Sequence, residues 1–175
     1  MPYLNIDTAY FINLNDNNYY LIKHMMEQKM KNEKLVNHLN QNLADVQVLY
    51  VKLHNFHWNV KGPHFFGIHN VTEGYYDHLA KQYDDIAERI LQIGAKPLTT
   101  MKDYLNVSKI KEENKNNFSA SEVIKSVTKD FNYLLKEFKK TSELAENKND
   151  LTTQALADEN IAWLEKAIWM LKASM

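Results

Sequence analysis

A hairpin signal lies at residues 54–69 of this chain, which read HNFHWNVKGPHFFGIH. The Gly62-Pro63 pair in the middle of this stretch favours a turn, and proline cannot continue the helix that precedes it. Apolar residues recur at spacings of three and four on both sides of the pair. Such spacing is typical of amphipathic helices, so the stretch predicts two antiparallel helices that meet at a turn.

The same spacing extends outward from the turn and predicts two long helices, at about residues 33–60 and 66–93. Gly94 suits a left-handed cap at the end of the second helix. The following segment, residues 96–118, is polar and only weakly periodic, with one short helix expected near residues 101–105. A crossover of this length joins parallel helices.

Two further helices are predicted after the crossover. Ser119 and Glu122 have the spacing of a capping box, and the third helix extends from them to about Asn147. Asp150 suits the N-cap of a fourth helix that ends near the C-terminus. The predicted fold class is all-α: a ferritin-like four-helix bundle with a long crossover between the second and third helices.

Residues 1–32 fit this scheme less well and are assigned to an N-terminal extension, with the bundle domain at residues 33–175. Residues 19–30 can form a short extra helix within this extension. We find no secretory signal and no apolar run of the roughly 20 residues that span a membrane. The expected location is therefore the cytoplasm, without attachment to a membrane.

The composition limits the chemistry. A chain of 175 residues can bury a single core without cross-links. The absence of cysteine excludes disulfides and thiolate ligands, so a bound metal would use His, Asp and Glu. Lys and Arg number 21 against 22 Asp and Glu, a balance that disfavours nucleic-acid binding but leaves room for a local basic patch.

Histidines and carboxylates of the hairpin are candidate metal ligands. His57 and His69 flank the turn, so an antiparallel hairpin brings them together, while Asp84 and Glu88 lie one turn apart on one helix face. His69 and Asp84 are 15 residues apart, which is about 22 Å along a helix. If the four share a metal, the carboxylates must come from a second copy across a two-fold axis.

The pattern of a di-iron site within one chain is missing. Such bundles use Glu-x-x-His pairs, and none of the seven histidines here has Asp or Glu three residues before it. The residues alone leave two alternatives. Either the site lies between subunits, or the acidic pair is a solvated helix face and the histidines serve packing.

The sequence resembles the signature of the Dps miniferritins. The resemblance includes residues 54–69, then YDH at 76–78 and DDIAER at 84–89, and continues through IGAKP at 93–97 and IWMLKA at 168–173. It covers roughly residues 34–175. It implies a homo-oligomer, a hollow dodecameric shell that acts as a ferroxidase: Fe(II) is oxidised by hydrogen peroxide or oxygen, and the ferric mineral is stored. Iron homeostasis and protection against oxidative stress are the implied roles.

The resemblance also implies which residues bind iron, with two irons possible at each site between subunits. Trp58 matches a tryptophan beside the centre, where core packing and a redox role as an electron source are the alternatives. His54 is expected to pack, and His64 and His78 are expected to be structural or surface residues. The implied metal ligands are His57 and His69 of one subunit, Asp84 and Glu88 of its two-fold partner, and Glu73 near the second iron.

The alternative function is a DNA-compacting architectural protein. Some miniferritins bind DNA through flexible lysine-rich tails. Here the first 22 residues contain no Lys or Arg, and the lysines at 23–34 alternate with glutamates. DNA binding is therefore not favoured. A helical interaction module without metal is a third possibility, but it requires the four candidate ligands to coincide by accident.

Overall fold

The computed structural model describes residues 16–174, with the side chains of residues 16–18 and 31 left out. Four long helices form the bundle: α1 (Asp16–Asn59) packs against α2 (Phe65–Gln92), and α4 (Ala120–Glu146) packs against α5 (Leu151–Ala173). The short helix α3 (Met101–Val107) lies in the crossover. This confirms the all-α fold and the long crossover between the second and third bundle helices.

The helix ends agree with the residues that predicted them. Gly94 has a φ of +79°, which glycine tolerates best, and closes a Schellman motif at the end of α2. Ser119 and Glu122 form a complete capping box at the start of α4. The carboxylate of Asp150 accepts a hydrogen bond from the Thr153 amide and caps α5. Local chemistry therefore fixes three of the boundaries that shape the bundle.

The turn of the hairpin contains a feature that periodicity does not reveal. Strand β1 (Val60–Lys61) pairs in parallel with β2 (Phe118–Ser119), and Val60 lies opposite Phe118. Both of those apolar side chains are buried. Gly62 follows with a φ of +104° and turns the chain toward α2. The end of the crossover is thereby joined to the hairpin close to His57.

Helix α1 begins earlier than predicted. One continuous helix spans Asp16–Asn59, so residues 19–30 are the first part of α1 and not a separate short helix. The large apolar side chains of residues 19–30 are exposed, whereas Leu35, Leu39 and Leu43 are fully buried. The apolar period therefore marks where packing begins and not where the helix begins. Residues 1–15 of the predicted extension lie outside the described range, and its boundary at residue 33 stays a prediction.

The crossover is anchored by a buried carboxylate. Asp45 of α1 accepts hydrogen bonds from the Ser108 hydroxyl (2.8 Å), the Lys109 amide (2.6 Å) and the Tyr133 hydroxyl (2.8 Å). Several donors compensate the cost of burying this group. Burial and the neighbouring carboxylate raise the pKa of the Tyr133 phenol, which stays protonated as a donor.

Among residues 16–174, no helix combines the length and the apolar character that a membrane span requires.

Candidate metal centre

The hairpin brings His57 and His69 into direct contact. The two rings stack with centroids 3.6 Å apart and planes inclined by 20°. Nδ1 of His57 lies 2.8 Å from the backbone carbonyl of His69, and Nδ1 of His69 lies 2.9 Å from the carbonyl of His57. Carbonyls only accept hydrogen bonds, so each Nδ1 carries the proton. Each Nε2 therefore keeps a free lone pair, the form of imidazole that binds metals.

Neighbouring groups hold this pair of rings in place. The hydroxyl of buried Thr72 lies 2.7 Å from the Ile68 carbonyl and 2.9 Å from the same His69 carbonyl that accepts from His57, so its proton is shared between them. Phe65 stacks against the His69 ring at 5.0 Å, and Tyr76 meets the His57 ring edge-on at 5.3 Å. Rings fixed in this way lose little conformational freedom when a metal binds, which favours binding.

The carboxylates of Asp84 and Glu88 differ from the charged residues beside them. Asp85 forms an ion pair with Lys81. The Arg89 guanidinium donates to the carboxylate of Asp150, the N-cap of α5, over 2.7 Å. Asp84 and Glu88 are both exposed. Neither has a hydrogen-bond or ion-pair partner among the residues that the structure describes. The flanking charges are thus committed to the fold, while these two remain available to a ligand.

One subunit does not bring the two groups of candidate ligands together. Helix α2 is continuous from Phe65 to Gln92, so the separation of about 22 Å between His69 and Asp84 stands. Within residues 16–174, no three His, Asp or Glu side chains gather closely enough to hold a metal ion. Glu73 is exposed one turn after His69, beside the histidine pair. The subunit therefore presents an imidazole group and a carboxylate group at separate places.

Trp58 is not part of the core of its own subunit. Its side chain is 69% exposed, so core packing within the chain, one of the two sequence alternatives, is wrong. The indole meets the His54 ring edge-on at 5.3 Å. Its redox role stays a prediction.

The other histidines of this region serve packing or face solvent, as expected. His54 stacks on Tyr76 at 3.8 Å. His78 stacks on Trp163 of α5 at 3.8 Å, and its partial burial lowers its pKa. His64 is exposed before the first turn of α2. None of the three joins the pair of His57 and His69.

Sequence reasoning assigned no role to Thr72 and Tyr76, although both contact the histidine pair. Their spacing from His69, three and seven residues, places them on the same face of α2. That spacing was a usable signal. It indicates a shared face but not which of its side chains approach the rings.

Comparison with known proteins identifies the family. The ferritin-like domain family matches residues 36–175. The DNA protection during starvation protein of Helicobacter pylori is 43% identical over 146 residues, which are 83% of this chain and 99% of that protein.

Two solved structures are similar throughout the bundle. A Dps protein from Bacillus brevis has a TM-score of 0.79 at 40% identity, over 82% of this chain and 96% of that one. A Dps protein from Vibrio cholerae, described as a member of a broad superfamily of ferritin-like diiron-carboxylate proteins, has a TM-score of 0.79 at 35% identity, over 82% of this chain and 90% of that one. With its fold, its coverage and its identity to these relatives, the chain belongs to the Dps proteins of the ferritin-like family.

Proposed function

We propose that this protein is an iron-storage miniferritin with ferroxidase activity. It oxidises Fe(II) at sites between subunits and stores the ferric product in a hollow homo-oligomeric shell, with the cytoplasm as the expected compartment. The observation that carries the proposal is the histidine pair of His57 and His69, whose Nε2 lone pairs are free while both Nδ1 atoms are engaged. Membership of a family that includes a described ferritin-like diiron-carboxylate protein supports iron as the metal.

The candidate ligands suit the oxidation of iron. Imidazole nitrogens and carboxylate oxygens both bind Fe(II), and anionic carboxylates stabilise the higher charge of Fe(III). Two Fe(II) ions give up one electron each, and hydrogen peroxide takes up both electrons with two protons to form two molecules of water. Iron is the substrate here, and the ferric product moves to the mineral.

The two-fold arrangement follows from the length of α2. If two α2 helices run antiparallel across an axis, Asp84 and Glu88 of each subunit approach the histidine pair of the other. Such an interface is isologous and creates two equivalent sites in each dimer. Exposed apolar side chains at Val51, Met101 and Leu105 line a groove together with Trp58, the neighbour of His57 in the chain, and an exposed apolar groove favours burial against a partner. The family resemblance extends the expected assembly to a dodecamer.

The test combines assembly and activity. Native mass in solution should correspond to a dimer or a larger shell. Fe(II) should disappear rapidly on addition of peroxide or oxygen, and the product should remain with the assembled protein. A mass near that of one chain in physiological buffer, or iron that oxidises no faster than in protein-free buffer, contradicts the proposal.

DNA compaction is the weaker alternative. Among the side chains of the extension that the structure describes, Lys23 and Lys29 are accompanied by Glu27, so the exposed charge there is mixed. We expect little DNA retardation at moderate salt in a mobility-shift assay. Retardation that weakens steeply as salt rises would favour the alternative, because phosphate contacts release counterions.

A further inference from the structure

The first part of α1 carries an exposed apolar stripe. Every residue from 19 to 30 is exposed, although the helix continues without a break into the bundle. The family match begins only at residue 36, so this surface is additional to the bundle domain. Four large apolar residues within it recur at spacings of three and four and therefore share one helix face. We call them the outer stripe: Tyr19, Ile22, Met26 and Met30.

The outer stripe faces away from the bundle of its own subunit. Leu35 and Leu39 are fully buried and mark the side of α1 that packs into the core. Met26 lies nine residues before Leu35, which is about two and a half helical turns, so its side chain points to the opposite side of the helix. A short helix that buries no apolar face is marginally stable in water, and an exposed apolar surface of this kind indicates a partner.

The charges beside the outer stripe are self-complementary. Lys23 and Glu27 lie one turn apart on the same flank of the stripe. Neither forms an ion pair among the residues that the structure describes. If two copies of the helix run antiparallel about an axis near residue 25, Lys23 of each copy lies opposite Glu27 of the other. A parallel pair does not bring these charges together, because their flank then faces the opposite flank of the second helix.

The apolar residues match in the same arrangement. With the axis near residue 25, Tyr19 of one copy lies opposite Met30 of the other, and Ile22 lies opposite Met26. Both matches occur twice, once on each side of the axis. Apolar side chains thus meet along the whole stripe in the register that also pairs the charges.

We propose that the outer stripe binds the outer stripe of a second copy of this chain as an antiparallel helix pair. The contact is isologous, with one ion pair of Lys23 and Glu27 on each side of its two-fold axis. A pair of about three turns is a small interface, and it gains strength where a homo-oligomer presents several copies at once. Met30 and His57 are about 40 Å apart along α1, so the contact is separate from the proposed iron site.

Two other occupants fit the outer stripe less well. A lipid surface favours a polar face rich in Lys and Arg, whereas Lys23 and Lys29 are accompanied by Glu27. Residues 1–15 of the same chain contain no Lys or Arg and therefore offer no basic side chain to Glu27. A second copy supplies both the apolar and the charged counterparts.

The test uses disulfide cross-linking, because the chain contains no cysteine of its own. The full-length variant Tyr19→Cys/Met30→Cys is oxidised mildly and run on a denaturing gel without reductant. Its two new thiols are about 17 Å apart along one helix, whereas a disulfide requires Cα atoms within about 7 Å of each other. A disulfide in this variant therefore joins two chains.

We expect covalent dimers in which mass spectrometry finds position 19 of one chain joined to position 30 of the other. Tyr19→Cys alone and Met30→Cys alone should give few dimers, because an antiparallel pair holds equal positions about 17 Å apart. Links between equal positions in the double variant would show a parallel contact and overturn the proposal. The absence of any link would overturn it as well.

Two pairs of substitutions, each added to the cysteine variant, test the surface itself. Ile22→Ser/Met26→Ser should remove most of the cross-linked product. The matched control Tyr20→Ser/Leu21→Ser removes two exposed apolar side chains of the same helix that lie outside the outer stripe, and it should leave the product unchanged. An equal loss in both would contradict a specific contact. Fe(II) oxidation should be normal in both, so failure of the pairing and failure of the ferroxidase are distinguishable.

Exchange of the flanking charges tests the register. Lys23→Glu places carboxylates opposite each other and should lower the yield of dimer, while Lys23→Glu/Glu27→Lys should restore it. A double exchange that fails to restore the yield contradicts the antiparallel register. Deletion of residues 2–15 should leave the yield unchanged. Cross-links that form only after this deletion would show that residues 1–15 cover the stripe, and the proposal would be wrong.

Discussion

His57 and His69 orient each other, since the ring of each lies within 2.9 Å of the backbone carbonyl of the other. Each imidazole depends on the position of the opposite helix as well as on its own. The turn at Gly62 connects the two helix ends, and the strand pairing of Val60 with Phe118 anchors that turn to the start of α4. The geometry of the proposed iron site is thus a property of the whole hairpin.

Replacing Thr72 by valine should weaken iron oxidation without unfolding the protein. The change keeps the shape of the side chain but removes the hydroxyl near the His69 carbonyl. Losses of groups that orient metal ligands typically cost roughly 10–100-fold in metal affinity or activity, and we expect the lower end because His57 still binds the same carbonyl.

Thr141→Val is the matched control for that change. Thr141 is equally buried, but its hydroxyl accepts from Asn42 between α1 and α4. It should lower the melting temperature and leave the oxidation rate per assembled subunit unchanged. Equal oxidation rates in Thr72→Val and wild type would show that the hydroxyl does not position the ring.

Removing the two free carboxylates should abolish rapid iron oxidation. We expect Asp84→Ala/Glu88→Ala to keep its helicity, because both side chains are exposed and make no described contact. The control Asp77→Ala/Asp85→Ala removes the same charge from the same helix and should stay active. Stopped-flow measurement of Fe(II) loss distinguishes them. Wild-type rates in the first variant would contradict the ligand assignment.

Stability at acid pH should depend on Glu122. Hydrogen bonds from Lys115 and from Ser119 lower the pKa of this carboxyl from 4.5 to about 2. A depressed pKa stabilises the folded chain at pH above 4.5, and that contribution disappears as the pH falls toward 2.

The comparison for Glu122 is Glu122→Gln, which keeps a side-chain acceptor for the cap but has no charge to titrate. Between pH 4.5 and 2, wild type should lose more thermal stability than this variant. Because the ion pair of Lys115 and Glu122 is exposed, this difference in thermal stability should shrink in high salt. Parallel melting temperatures across this range would refute the role of the charge.

The fold was largely predictable because the side chains that a helix buries recur along the sequence at the spacing of helical turns. Apolar positions at spacings of three and four located the bundle helices, and Gly94, Ser119 and Asp150 located their ends. The early start of α1 was not predictable in this way, since the large apolar side chains of residues 19–30 are exposed. The pairing of β1 with β2 was missed because two-residue strands arise from tertiary contact and leave no local pattern.

The candidate site was predictable in part. The convergence of His57 and His69 followed from the hairpin, because residues on either side of a turn must meet. Their reciprocal hydrogen bonds were not predictable, since these depend on ring orientation and on the carbonyls of the opposite helix. The contribution of Asp84 and Glu88 from a second subunit remains a prediction, because a single chain cannot display a site that two chains complete.

The most direct test of that prediction mixes two inactive variants. One carries His57→Ala and His69→Ala, the other Asp84→Ala and Glu88→Ala, and the two are dissociated and reassembled together. In a mixed dimer one site combines both defects, and the other combines both intact halves. Random pairing makes about half the dimers mixed, so Fe(II) oxidation should return to about a quarter of the wild-type rate. A mixture that stays as inactive as its parents, despite verified exchange of subunits, would contradict a site shared across the two-fold axis.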